Sequence, residues 1–185
     1  MSNKRKYLLA LLASLLLLIL IAWSPWCALL YRGDGQFSDQ LFFYPRFWVR
    51  FPEIPLNQQG EHQFHFRGMP SEDMSLVLYV KGDRAKYENR SFLAGFPATI
   101  EATLSDSGGK KVCHAFGRPA DDNRDGVWVL MSGPNEAGYW HYQCNFVRVS
   151  RFKAYDLTIR IGDVAPGTEK VAVVPTLNGG GTELP

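Results

Sequence analysis

The stretch HQFHFR at residues 62–67 decides the fold class, because Phe64 and Phe66 alternate with polar or charged side chains. A period of two is the spacing of side chains that share one face of a β-strand. The stretch therefore predicts a strand with one buried face. It follows Gly60, where the period-two pattern begins.

Seven further segments show the same period, and turn residues such as Ser107-Gly108-Gly109 separate them. These predicted strands are residues 74–81, 98–105, 111–116, 127–131, 139–149, 155–161 and 170–174. No helical pattern of ten residues lies between them. The chain is therefore predicted to be all-β, with an antiparallel β-sandwich that immunoglobulin-like, jelly-roll and C2-like topologies fit equally well.

A single N-terminal transmembrane helix is predicted to precede the sandwich. No charged residue lies from Tyr7 to Tyr31, and a helix of that length covers about 37 Å, enough to cross a bilayer core. A cleaved signal peptide would need a small residue where bulky Trp26 stands. The sequence favours an uncleaved anchor over a cleaved signal or a lipidated Cys27.

The charges around this segment predict its orientation. Lys4, Arg5 and Lys6 precede it, whereas only Arg32 closely follows it. The positive-inside rule therefore keeps the amino terminus in the cytoplasm and exports the remaining chain. We predict a single-pass protein of a bacterial inner membrane, with its C-terminal domain in the periplasm.

Three regions follow from these patterns: the basic tip and signal anchor at 1–31, an aromatic lead-in at 32–60, and the extracytoplasmic domain at 61–185. Within the lead-in, the apolar spacing predicts a short helix that is capped by Ser38 and stops before Pro45, followed by an extended segment. The aromatics of 37–51 could form an interfacial patch or enter the core; core packing is the preferred interpretation.

Charge and composition exclude two classes of protein. Of the 20 Lys and Arg residues, the three before the anchor leave 17 against 18 acidic residues. A balanced domain lacks the clustered positive charge that sequence-independent nucleic-acid binding requires. At 46% hydrophobic residues the chain is also too apolar to be intrinsically disordered.

Cysteine usage predicts one disulfide. Cys113 and Cys144 lie on predicted strands of the exported domain, and cysteines in an oxidising compartment usually pair. The bond would close a loop of roughly 30 residues and stabilise the domain by about 3 kcal/mol. A zinc site using His114 is disfavoured, since adjacent strand residues point to opposite faces.

Oxygen ligands at Asp121, Asn123 and Asp125, followed by Gly126, resemble the opening of a calcium loop. The match ends at the twelfth position, where Ser132 replaces the bidentate glutamate. We keep calcium as a weak candidate beside an ordinary solvated acidic hairpin, and predict no cofactor.

Aromatic side chains supply the candidate recognition site. Exposed rings on a sheet can stack on sugars or anchor a protein partner. The candidates are Trp128, Trp140, Tyr142 and Tyr155, and the pair Trp140 and Tyr142 is preferred because alternation allows it to face outward.

No catalytic motif stands out. Glu101 and Asp156 look isolated among the strand carboxylates, and the chain carries no nucleophile elbow or HExxH sequence. A hydrolase would require His114 or His141 within hydrogen-bond reach of a carboxylate or hydroxyl.

The leading hypothesis is a membrane-anchored, noncatalytic β-sandwich that binds another protein of the cell envelope, as an assembly subunit or an immunity or inhibitor protein. A module for glycans or small ligands is the first alternative, and an envelope hydrolase is the second.

Overall fold

The computed structural model describes residues 3–23, 30–40, 46–81, 90–120, 128–132, 138–141 and 147–180. Within these ranges the helices are α1 (Asn3–Trp23) and α2 (Arg90–Ala94). The strands are β1 (Arg32–Gly33), β2 (Gln36–Gln40), β3 (Arg46–Arg50), β4 (Ile54–Pro55), β5 (Gly60–Arg67), β6 (Asp73–Val80), β7 (Thr99–Asp106), β8 (Lys111–Gly117), β9 (Pro119–Ala120), β10 (Trp128–Ser132), β11 (Gly138–His141), β12 (Val147–Arg148), β13 (Ala154–Gly162) and β14 (Ala172–Gly179). No helix in these ranges is both long and apolar enough to cross a membrane.

One sheet has five strands in the order β1-β5-β13-β7-β8, and all of its pairings are antiparallel. Along β7 and β13 every second side chain is buried. This is the alternation that the sequence predicted, and it leaves one face of the sheet to solvent.

The other sheet has nine strands. Its main path is β2-β3-β14-β6-β11-β10-β9, with β4 also paired to β14 and β12 to β6. The pairing of β9 with β10 is parallel, and the remaining pairings are antiparallel. Strand β14 holds a central place, because it pairs with both β3 and β6.

A single hydrophobic core lies between the two sheets. The five-stranded sheet contributes residues such as Phe64 and Leu157, and the nine-stranded sheet contributes Leu78 and Val173. Two sheets that bury one shared core form a two-layer β architecture. The mostly antiparallel, two-sheet structure confirms the all-β prediction.

The predicted strands lie close to the observed ones. Strands β5 to β8, β10 and β13 begin and end within two residues of the predicted segments. The predicted strand at 139–149 contains β11 and β12, and residues 142–146 lie outside the described part. Strand β14 runs to Gly179 and is longer than predicted.

The predicted helix capped by Ser38 is wrong. Ser38 lies in strand β2, which pairs with β3 in register, Ser38 opposite Trp48. The apolar spacing of this segment fits a helix, but cross-strand pairing into the nine-stranded sheet overrides that local preference. The extended segment predicted to follow Pro45 is confirmed as β3.

The aromatic lead-in contributes to the core. Phe47 and Phe51 are buried, and the Phe51 ring lies 4.9 Å from Phe64 and 5.5 Å from Phe66 between ring centroids. Phe37 is half-buried against Phe47, with centroids 5.9 Å apart. For these residues, core packing is confirmed over the interfacial patch.

Candidate functional site

The solvent face of the five-stranded sheet presents three rows of cross-strand neighbours, and we call this surface the polar face. In an antiparallel sheet, residues opposite each other in register point to the same side. The rows are His65-Asp156-Ser105-Lys111, Gln63-Thr158-Thr103-His114 and Glu61-Arg160-Glu101-Phe116.

Arg160 connects two carboxylates in the third row. Its Nε atom donates to Glu61 Oε2 at 2.5 Å, and its Nη1 atom lies 3.7 Å from Glu101 Oε2. The hydrogen bond from Arg160 holds the pKa of Glu61 below its ordinary value. Arg160 and Glu61 are both exposed, so their ion pair contributes little to the stability of the fold. It mainly sets the charge pattern of the surface.

A side-chain hydrogen bond joins β7 and β8, the last two strands of the sheet. The His114 Nε2 atom lies 2.9 Å from Glu101 Oε1, beside a shallow depression of about 160 Å³ that Thr103 and Thr158 help to line. The hydrogen bond to His114 is the main reason that the pKa of Glu101 is lowered. Glu101 is therefore ionised at neutral pH and accepts hydrogen bonds rather than donating a proton.

The His114 and Glu101 pair meets the minimum geometry that a hydrolase would require. The side chains are 45% and 29% exposed on an open sheet. Water screens charges at such a site, whereas enzymes place reacting groups where water is excluded. The hydrolase alternative stays a prediction.

His65 forms a comparable pair with Asp156 at the other end of the polar face. Its Nδ1 atom forms a hydrogen bond with Asp156 Oδ1. This bond is the main reason that the pKa of His65 is raised. Glu101 and Asp156 are thus not isolated, as their sequence positions suggested. Each carboxylate has an imidazole on the neighbouring strand.

We expect the pKa of His65 to lie above 6.5 and to return toward that ordinary value in Asp156→Asn, because the substitution removes the carboxylate's charge. The measurement is an NMR titration of the imidazole resonances.

The sign of the linked stability follows from the direction of this shift. A folded-state pKa above the unfolded value stabilises the fold below about pH 6.5, and the contribution is lost as the pH rises through the folded-state pKa. A His65 titration that is unchanged by Asp156→Asn would contradict this pairing.

Phe116 is the large apolar side chain of the polar face. It is 59% exposed and lies opposite Glu101, on strand β8 at the edge of the sheet. Strand β8 buries Cys113 and Ala115, so Phe116 falls in the phase that faces solvent. No motif in the sequence points to Phe116, although its phase on strand β8 could have identified it.

Two of the predicted recognition aromatics belong to the core, which corrects their placement on an exposed face. Trp128 is fully buried, and its Nε1 atom donates to the Ile100 carbonyl at 3.0 Å. Tyr155 is also buried, and its hydroxyl accepts a hydrogen bond from the Ser150 amide at 2.7 Å. Neither ring is accessible to a ligand.

The preferred pair lies largely outside the described residues. Trp140 belongs to strand β11, opposite Leu130 and Leu78, but its side chain is outside the described part, as is the whole of Tyr142. The glycan alternative that uses these two rings stays a prediction.

The weak calcium candidates Asp121, Asn123 and Asp125 lie outside the described residues. Among the residues that are described, no group of three or more His, Cys, Asp or Glu side chains could hold a metal ion. Cys113 is disulfide-bonded. Cys144 lies outside the described residues, so its pairing with Cys113 stays a prediction.

Comparison with known proteins gives no family assignment: no protein-family model and no curated protein matches the chain.

Proposed function

We propose that the protein is a membrane-anchored, noncatalytic β-sandwich that binds another protein of the cell envelope through its polar face. The observation that carries this proposal is Phe116, an exposed aromatic ring among cross-strand ion pairs. The subtype of the sandwich, immunoglobulin-like, jelly-roll or C2-like, stays a prediction.

The arrangement around Phe116 resembles a protein-binding surface. Aromatic and arginine side chains dominate the binding energy of most interfaces, and a polar rim around them excludes water. Phe116 supplies the ring, and Arg160 lies two strands away in the same row. The fixed order of acidic and basic groups in that row would favour a partner of complementary charge.

The anchor part of the proposal has two supports. The uncharged stretch from Tyr7 to Tyr31 follows a basic tip. In helix α1, the leucines from Leu8 to Leu18 are 52% to 68% exposed, so the sandwich does not cover them. A helix that is apolar on all sides requires an apolar environment, and a bilayer of the inner membrane would supply it.

This orientation places the sandwich in the periplasm in our proposal. Lys4 and the two basic residues after it would remain in the cytoplasm under the positive-inside rule. A tethered binding domain near the membrane suits an assembly subunit, or an immunity or inhibitor protein that captures a toxic enzyme. The polar face suits either role, because both require a protein partner.

The test is in-cell crosslinking of the full-length protein with the photocrosslinker p-benzoylphenylalanine in place of Phe116. The same crosslinker in place of Lys170, an exposed residue outside the polar face, is the control. We expect one discrete protein adduct at position 116 and none of that mass at position 170. The captured protein is then identified and purified.

Affinity for that purified protein decides the proposal. Phe116→Ser should weaken binding by about tenfold or more, as expected when an interface anchor is removed. Phe152→Ser also removes an exposed phenylalanine, but away from the polar face, and should leave the affinity within about twofold. Equal affinities for wild type and Phe116→Ser would refute binding through this face.

A further inference from the structure

One end of the sandwich receives the chain from α1. Strand β1 pairs Arg32 with Arg67, and Gly68 lies against the backbone of Leu30. Leu30 follows the last residue of α1, Trp23, by seven positions, so the two are at most about 25 Å apart. We call this the anchor end of the sandwich.

Two turns lie at the same end. Ala154 is the register partner of Arg67, and its carbonyl accepts a hydrogen bond from the Ser107 amide at 2.9 Å. These contacts bring the turn at residues 107–110 and the turn at residues 150–153 beside the incoming chain. Phe116, in contrast, lies opposite Glu101, toward the other end of the same sheet.

The second of these turns exposes a phenylalanine. Phe152 is 93% exposed, although its turn is well held: the Lys153 amide donates to the Ser150 carbonyl at 3.1 Å, and the Arg151 amide donates to Ser71 Oγ at 3.2 Å. Leu30, at the same end, is 44% exposed. The anchor end therefore exposes two large apolar side chains, and one of them is held by a well-ordered turn.

A groove with a basic lining opens beside Phe152. It has a volume of about 430 Å³, and Lys110, Arg148 and Lys153 contribute to its lining with Ser71 and Ser150. Asp106 is the acidic group in that lining, and its Oδ2 atom accepts a hydrogen bond from Lys153 Nζ at 2.7 Å. Lys110 and Arg148 therefore leave the groove with an excess of positive charge.

The whole anchor end has a modest positive excess. Its basic residues are Arg32, Arg46, Arg67, Lys110, Lys111, Arg148, Arg151 and Lys153. Six acidic residues accompany them, namely Asp34, Asp39, Glu72, Asp73, Asp106 and Asp156. Because Asp106 is bound to Lys153 and to the amides of Gly108 and Lys110, its charge is largely satisfied within the protein.

We propose that the anchor end docks on the anionic surface of the bilayer that holds α1, with Phe152 inserted at headgroup level and the basic groove facing lipid phosphates. The inference rests on the anchor of the proposed function. An inserted aromatic ring and a cluster of basic residues together bind a lipid surface more firmly than either does alone. The tether keeps both features close to that surface.

Docking would also orient the polar face. The anchor end would lie on the headgroups, and Phe116 would be held toward the opposite end of the sheet. A partner could then reach Phe116 without displacing lipid.

The experiment uses the full-length protein in nanodiscs, with p-benzoylphenylalanine in place of Phe152 or, as a matched control, of Phe116. The discs contain phosphatidylcholine alone or a mixture with phosphatidylglycerol. After irradiation, mass spectrometry counts lipid adducts. In the mixed discs we expect about tenfold more lipid adduct at position 152 than at position 116.

Charge dependence completes the test. Three changes should each reduce the adduct at position 152 about fivefold or more. They are the double variant Lys110→Glu with Arg148→Glu, discs of pure phosphatidylcholine, and about 1 M NaCl, at which the Debye length is about 3 Å. Lys170→Glu reverses an exposed charge elsewhere and should have no effect. Equal adducts at the two positions, or indifference to the double variant, would overturn the proposal.

Failure of docking and failure of the proposed function give different results. Resistance of the full-length protein to alkaline carbonate extraction reports the anchor, whatever happens at position 152. Protein capture at position 116 reports the partner. An anchored protein that captures its partner but forms no excess lipid adduct at position 152 would remove the docking proposal alone.

Discussion

Replacing Trp128 with alanine is expected to lower the free energy of unfolding by about 3–5 kcal/mol, the usual range for removing a large aromatic side chain from a core. Trp128 is fully buried and connects the two sheets, because it belongs to β10 while its Nε1 atom donates to Ile100 of β7. The variant loses packing on both sides and leaves that carbonyl without its indole donor.

Denaturant unfolding of the full-length protein in detergent measures this loss. Trp128→Phe helps to separate the two contributions, since it removes the donor but keeps most of the aromatic volume. We expect it to lose about 1–3 kcal/mol. Phe152→Ala, at an exposed position, should change the stability by less than about 0.5 kcal/mol. A loss at Trp128→Ala no larger than this control would contradict the buried position of the indole.

Replacing Gly68 with alanine is expected to lower the free energy of unfolding by about 3 kcal/mol and to displace Leu30, in the segment that joins α1 to the sandwich. Gly68 has φ +76°, and a Cβ atom there would lie 2.1 Å from the carbonyl oxygen of Leu30. Backbone atoms cannot retreat as a flexible side chain can, so either Leu30 moves or the strand end does.

Gly167→Ala is the matched control, because Gly167 has φ +77° but no atom within 4 Å of the added Cβ. It carries the left-handed strain alone, about 1–2 kcal/mol. The difference between the two variants therefore measures the clash with Leu30. Hydrogen exchange of the Asp34 amide, which donates to the His65 carbonyl at 2.8 Å, should accelerate only in Gly68→Ala. Equal losses in both variants would argue against the close approach of Leu30.

The sequence predicted correctly the strands in which buried and exposed side chains alternate without a break. Phe64 and Phe66 of β5, and Leu157 and Ile159 of β13, alternate with polar residues, and one buried face is enough to specify a strand. Local pattern failed at Ser38, because the spacing around it also fits a helix. Pairing with β3, which itself pairs with the distant β14, decided the outcome there.

The candidate site was less predictable, because its residues meet only through the sheet register. Glu101 and His114 are 13 positions apart, and His65 and Asp156 are 91 apart. The sequence does not reveal such pairs unless strand order is known. Trp128 was placed on a recognition face for a related reason, since aromatic residue type does not distinguish a core ring from an exposed one.

The order in which strands enter the sheets has a consequence for folding during synthesis. Strand β13 lies between β5 and β7, and β14 lies between β3 and β6, so the two last strands in chain order occupy central places in the two sheets. Until they emerge, β5 and β7 have no common neighbour, and β3 and β6 present unpaired edges. A chain that still lacks these two strands has no complete sheet and therefore remains unfolded. The domain folds only after nearly all of it has been synthesised, and a chain interrupted before β13 is a substrate for proteases rather than a smaller folded domain.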